Sequence, residues 1–260
     1  MKTSDIYIYD GSFSSLLNLI NDLLKRNIKP FDICDHENEA PTLLNNVITL
    51  ELSPNFDIKE MNLSSSILKT IYYVYLSEEK YKELIIYYFL LNAQKYQEKI
   101  FMMRNLKCVT KALKIAKYVS NENHKLKGFT RFKEINNHVL YAEISPTNNI
   151  LPLLSNHFAN RLKNEYWIIK DVGRNIYSIY DTIKYYIASG ENISLKEINT
   201  DDTEQEMEAL WQSFFDTIGI EARRNKRCQM NFMPKKYWKY IAEMRKYDEE
   251  SNNKQGITGM

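Results

Sequence analysis

Apolar and polar positions alternate at the start of the chain and then change period. Asp5–Tyr9 (DIYIY) alternates β-formers and predicts a first strand. After the turn Asp10-Gly11-Ser12, Phe13, Leu16, Leu17, Ile20, Leu23 and Leu24 recur at helical spacing, with Ser12 or Ser14 placed to cap. Asn27 and Pro30 end that helix. Phe31–Cys34 and Val47–Leu52 read as further strands on either side of an acidic loop, Asp35–Pro41. From Asp57 to about Ser120 the pattern is helical, with helices over Met61–Leu76, from Ser77 through Tyr96, and over Phe101–Ser120. In the last of these Leu106, Val109, Leu113, Ala116 and Val119 make one side, and Lys107, Lys111, Lys114 and Lys117 the other.

Period two returns in the second half. Phe129–Ile135 and Val139–Ile144 form a hairpin through Asn136-Asn137-His138, because asparagine tolerates positive φ. Asn148 or Asn149 caps a helix reaching about Lys163, with Pro152 in its first turn. Tyr166–Lys170 and Asn175–Tyr180 form a second hairpin around Asp171–Arg174. Thr182–Ala188 reads as a helix. Thr203–Ile218 reads as another, with Met207, Leu210, Trp211, Phe214 and Phe215 toward the core. Ala222–Met233 is a basic loop, and Pro234 opens a last helix, PKKYWKYIAEMRKY. The class is α+β: a small strand-helix-strand unit (1–56), a helical segment (57–122), an α+β core (123–250) and a flexible tail (251–260). Hairpin, helix, hairpin points to one antiparallel sheet with a helix on one face, followed by C-terminal helices.

Composition narrows the function classes. The chain has 260 residues and a formal net charge of +2, with 44% hydrophobic and 26% charged residues, as in ordinary folded proteins. Only 7 glycines occur, and neither a dinucleotide-binding nor a P-loop motif is present. Cys34, Cys108 and Cys228 are far apart with no CxxC, which argues against a zinc ribbon or an iron–sulfur cluster. This sparse set fits a reducing cytosol, so the expected localisation is cytoplasmic. Met1–Asp10 is polar and the apolar runs are short, so neither a signal peptide nor a membrane span is expected. Charge is uneven, with Lys and Arg gathering over 95–133 and 223–246.

Six ordered motifs stand out: YIYDGSF at Tyr7–Phe13, HxxKGFxRF at His124–Phe132, YAxIxP at Tyr141–Pro146, HFxxR at His157–Arg161, WxIxD at Trp167–Asp171 and RNxxxQxxxMPKxYW at Arg224–Trp238. Together they resemble the domain-of-unknown-function 4130 family, described as DNA metabolism or repair proteins. The resemblance implies a functional link to a DNA-repair radical SAM protein. It also implies that some relatives carry a fused uracil-DNA-glycosylase-like domain, which is not seen here. After its first histidine motif position the family pattern leads us to expect arginine. This chain has Lys125, which keeps the charge but loses bidentate geometry.

Candidate chemistry centres on 124–174. His157 and Arg161 share a helix face at spacing four. Arg131, Arg161 and Arg174 could form an anion pocket, since guanidinium matches phosphate. The plainer alternatives are a core His157 and a simple Asp171–Arg174 pair. His124 sits in a lysine-rich loop beside Lys127. Histidines and Asp171 are possible metal donors, but their spacing matches no signature, so no metal or cofactor is expected. A Ser155/His157/Asp171 triad fails because Ser155 and His157 point to different helix faces. In the C-terminal run Arg223, Arg224, Lys226, Arg227, Lys235, Lys236 and Lys239 interleave with Phe232, Tyr237, Trp238 and Tyr240. Cations hold a nucleic-acid backbone and rings stack on bases; the alternative is a packed Trp238 under solvated lysines.

The favoured expectation is a nucleic-acid-binding protein, with DNA as partner, acting as accessory to a radical SAM enzyme. Its binding residues would be His124, Lys127, Arg131, Arg174, Arg223, Arg224, Lys226, Arg227, Lys235 and Trp238. The alternative is an enzyme acting directly on DNA, of nuclease or glycosylase type, with His157, Arg161 and Asp171 catalytic. A weaker third option is a structural partner of the radical SAM protein that touches no nucleic acid.

Overall fold

A computed structural model describes residues 4–36, 45–50, 56–135, 138–192, 209–211, 213, 214, 217, 225–245 and 247. The chain forms two compact units, residues 1–120 and 121–260. The stretches read separately as 1–56 and 57–122 thus fall almost wholly within the first unit. The tail 251–260 and the loop 37–41 lie outside the described residues.

In the first unit β1 (Ser4–Tyr9) is the central strand, flanked in parallel by β2 (Asp32–Asp35) and β3 (Asn45–Thr49). Between β1 and β2, α1 (Phe13–Lys25) is capped by Ser12, whose Oγ accepts the Ser15 N–H at 3.1 Å. Leu16, Leu17, Ile20 and Leu23 of the predicted stripe are fully buried, together with Leu19, while Phe13 and Leu24 are half-buried. Helices α2 (Ser65–Tyr75) and α3 (Lys82–Tyr96) complete the unit's core. α3 begins later than the sequence suggests. Ser77 Oγ donates to the Val74 carbonyl, Lys82 Nζ reaches the Ser77 carbonyl, and Tyr81 sits at φ 60°, so residues 77–81 close α2.

The unit boundary falls within α4 (Lys107–Phe129), which begins later than read and runs nine residues past Ser120. Glu122 and Asn123 are buried on its apolar side between Val119 and Leu126, and their polarity hid the continuing stripe. His124 is therefore an exposed helical residue, not a loop residue. Phe129 belongs to the helix, and the strand that follows is short.

The second unit holds a five-stranded sheet in sequence order: β4 (Lys133–Ile135), β5 (Val139–Ile144), β6 (Trp167–Asp171), β7 (Ile176–Tyr180) and β8 (Tyr185–Ser189). It is mixed rather than wholly antiparallel. The two hairpins are antiparallel, but β5 and β6 run parallel, because α5 (Leu151–Arg161) connects them as a crossover. α5 packs on β6, β7 and β8 with its Leu151, Leu154 and Phe158 buried, while Trp167 stacks on its cross-strand neighbour Tyr180. The fold class is α+β.

Four local expectations are corrected. Thr182–Ala188 is not a helix: Asp181 Oδ1 accepts the Ile183 and Lys184 N–H groups, Thr182 takes φ 72°, and the turn launches β8. Neither Asn148 nor Asn149 caps α5; Ile150 holds that position, and the Asn148 side chain is committed elsewhere. The basic run after Asn225 is helical, α6 (Lys226–Phe232), with Asn225 Oδ1 accepting the Cys228 N–H; a 3-10 helix, Lys235–Tyr240, follows Pro234. Leu210, Trp211 and Phe214, expected in the core, are exposed at 64, 46 and 52%. Met207 and Phe215 lie outside the described residues. The three cysteines are free thiols. No helix among the described residues is long and apolar enough to cross a membrane.

Candidate nucleic-acid interface

One face of the β4–β5 hairpin forms one wall of a cleft of about 280 Å³. Lys133 lies directly across from Tyr141; Ile135 and Glu143, two residues further along each strand, share their face. Arg131, just beyond α4, adds a guanidinium to the lining. Lys239, Tyr240 and Arg245 line it from the C-terminal segment. The lining therefore carries four cationic side chains, two tyrosines and one carboxylate.

Internal bonds position these groups. Arg131 Nη2 lies 2.8 Å from Glu243 Oε1, and Nη1 donates to the Gly128 carbonyl at 2.6 Å. Glu243 also accepts the Trp211 indole N–H at 3.2 Å. Burial would push the Glu243 carboxyl up, but Arg131 and its other hydrogen bonds hold it below the usual range. Tyr141 Oη donates to Glu143 Oε1 at 2.8 Å. Burial and the adjacent Glu143 carboxylate push the Tyr141 phenol far up, so it stays protonated and remains a donor. Lys239 Nζ lies 4.7 Å from the centre of the Tyr240 ring, a cation–π contact. The buried Tyr240 hydroxyl has no hydrogen-bond partner among the described residues.

A buried carboxylate ties the surrounding segments together. Glu122 accepts the backbone N–H groups of Thr147 and Asn148 at 2.8 and 2.9 Å, Asn148 Nδ2 at 2.6 Å, Lys236 Nζ at 3.0 Å and Tyr237 Oη at 2.7 Å. Burial alone would raise its carboxyl, but these donors outweigh it and hold it at about 2. A second pair grips the same loop. Arg174 Nη1 bridges Asp171 Oδ2 and the Pro146 carbonyl, and Nη2 donates to the Thr147 carbonyl at 2.5 Å.

The residues singled out from sequence separate into groups. Arg131 lines the cleft. Asp171 and Arg174 form a structural clamp: Asp171 is fully buried and also accepts the Gly173 and Arg174 N–H groups. Asp171 thus faces the clamp and not solvent, and Arg174 is bonded to Asp171 and to the protein's own carbonyls. His157 is half-buried on α5; burial, then Lys127, then Arg161 push its imidazole down. Lys127 and the exposed Arg161 thus make a second cationic patch around His157. Arg227 and Lys235 are exposed, and Lys226 lies on α6. Arg223 and Arg224 lie outside the described residues. Trp238 is only 5% exposed and its indole N–H donates to the Met233 carbonyl, so it packs the core and offers no stacking face. No three His, Cys, Asp or Glu side chains among the described residues converge as metal ligands would.

Sequence reasoning passed over Glu122 altogether. The signal was an acid on the apolar side of a lysine-rich helix, three residues after Val119 and four before Leu126. It also left Tyr141 and Glu143 unselected, although the predicted hairpin places them on one face with Lys133.

A family model described as Domain of unknown function (DUF4130) matches residues 80–243. No curated protein matches the chain, and no solved structure does. The match takes in more than half of the 260 residues and nearly all of the cleft lining, from Arg131 to Tyr240. The chain belongs to the DUF4130 family.

Proposed function

We propose that this protein binds single-stranded nucleic acid, with DNA the intended partner, and that the β4–β5 cleft is its principal contact. The observation that carries this reading is the cleft lining: four cationic side chains beside two tyrosines. Phosphate neutralisation by Lys and Arg drives non-specific nucleic-acid affinity, and aromatic side chains accept bases without sequence preference. A cleft of about 280 Å³ is small, suited to an unstacked nucleotide and not to a duplex groove. Exposed Arg227 and Phe232, the latter 72% exposed, supply further charge and ring surface on α6. Lys127 and Arg161 supply more charge still, around His157.

The role as accessory to a radical SAM enzyme rests on the family resemblance. In that role the protein holds the strand while the partner enzyme supplies the chemistry. The test is fluorescence anisotropy of labelled single- and double-stranded oligonucleotides titrated at several salt concentrations. Tighter binding of single strands, falling linearly in log–log form with salt, supports the reading. Absent binding, or binding indifferent to salt, overturns it.

A further inference from the structure

We infer that the cleft selects the base it admits, with Glu143 accepting hydrogen bonds from bases that carry an exocyclic amino group. This rests on the nucleic-acid reading of the same cleft and adds a specificity to it. A carboxylate is out of place in a surface built only for phosphate, because it repels the anion that the surrounding cations attract. Four cationic side chains and one carboxylate line this cleft. The carboxylate is held in place, since Tyr141 Oη donates to its Oε1 at 2.8 Å. An ionised carboxylate offers roughly four acceptor positions, and the phenol occupies one. Glu143 is an exposed residue on the hairpin face, so its remaining positions meet whatever enters.

The wall around it divides by chemistry. Lys133, Lys239 and Arg245 suit phosphate, and Arg131, paired with Glu243, adds positive potential beside them. Half-buried Ile135 and Tyr240 give the apolar surface on which a base can rest, while the buried Tyr141 holds Glu143 from below. Glu143 is acceptor-only, so it favours a base edge presenting N–H groups. Cytosine N4 and adenine N6 present such a group, and carboxylates read cytosine this way in nucleic-acid complexes. Thymine offers a single ring N–H flanked by two carbonyl oxygens, which face the carboxylate unfavourably. The carboxylate therefore discriminates by attraction toward one class and repulsion toward the other.

The test compares dC, dA and dT homo-oligomers of equal length with the wild type, Glu143→Gln and Tyr141→Phe, by anisotropy at one salt concentration. The wild type is expected to bind dC and dA oligomers about 10-fold more tightly than dT, the discrimination typical of one good base-edge contact. Glu143→Gln offers both donor and acceptor and should shrink the ratio to about 2-fold, mainly by improving dT. Tyr141→Phe releases the carboxylate and should narrow the ratio without abolishing binding. Equal wild-type binding of all three oligomers overturns the selection and leaves the nucleic-acid reading standing. Glu143→Gln tightening all three equally also overturns it, since the carboxylate then only opposes phosphate. No binding of any oligomer overturns both.

Discussion

Arg174 Nη1 sits 2.9 Å from Asp171 Oδ2, and Asp171 has no exposed surface. The same guanidinium donates to the carbonyls of Pro146 and Thr147, so the pair fastens the loop between β5 and α5 to the β6–β7 turn. Removing one partner of a buried pair strands the other. Asp171→Asn should therefore destabilise the protein by about 3 kcal/mol, and Arg174→Gln by somewhat less. Urea denaturation checks both. Once folded, each variant should keep wild-type affinity for oligonucleotides; a selective loss of affinity at full stability would return this pair to the binding surface.

Glu122 makes stability depend on acid. Its carboxyl is held at about 2, against an ordinary 4.5. A lowered folded-state value contributes stability that is complete above the ordinary value and is lost as pH falls from there through about 2. Glu122→Gln should cost about 2–4 kcal/mol at neutral pH, because an amide cannot accept all the N–H and O–H donors now directed at the carboxylate. The gap between wild type and variant, followed by thermal melts, should close as pH drops from 5 toward 2. A gap that is constant with pH contradicts the assignment.

His157 reports on the second cationic patch. Its imidazole is pushed down by burial and by Lys127 and Arg161, so it protonates at lower pH than an ordinary histidine. Lys127→Gln and Arg161→Gln should each move its NMR titration upward, and an oligonucleotide occupying the patch should do the same. An unchanged midpoint in both variants would show that the three side chains do not share a local field.

Much of the architecture was legible from local pattern, and the parts that were not have identifiable causes. The α1 stripe and the β4–β5 and β6–β7 hairpins follow from period and turn chemistry. β8 falls where Thr182–Ala188 reads as a helix, although Asp181–Lys184 is a turn signal. The parallel β5–β6 pairing depends on how α5 crosses the sheet, which no local window shows. The cleft needs Lys133 and Tyr141 to meet Lys239 and Arg245, about a hundred residues away. Sequence reasoning found both basic regions and Arg131, but not that Lys133, Tyr141, Lys239 and Arg245 converge with it. Of the two readings of Trp238, a stacking ring or a packed residue under lysines, its 5% exposure fits the second.

The central claim is that the β4–β5 cleft neutralises phosphate. The most direct measurement is the salt dependence of single-stranded oligonucleotide affinity for the wild type and for Lys133→Gln/Lys239→Gln, with Lys107→Gln/Lys114→Gln as control. Each lost phosphate contact on a single strand removes about 0.7 from the log–log slope, so the cleft variant should bind at least about 10-fold more weakly near physiological salt, with a slope shallower by about 1.4. The control should match wild type. Equal slopes and affinities for the cleft variant and wild type would contradict the account.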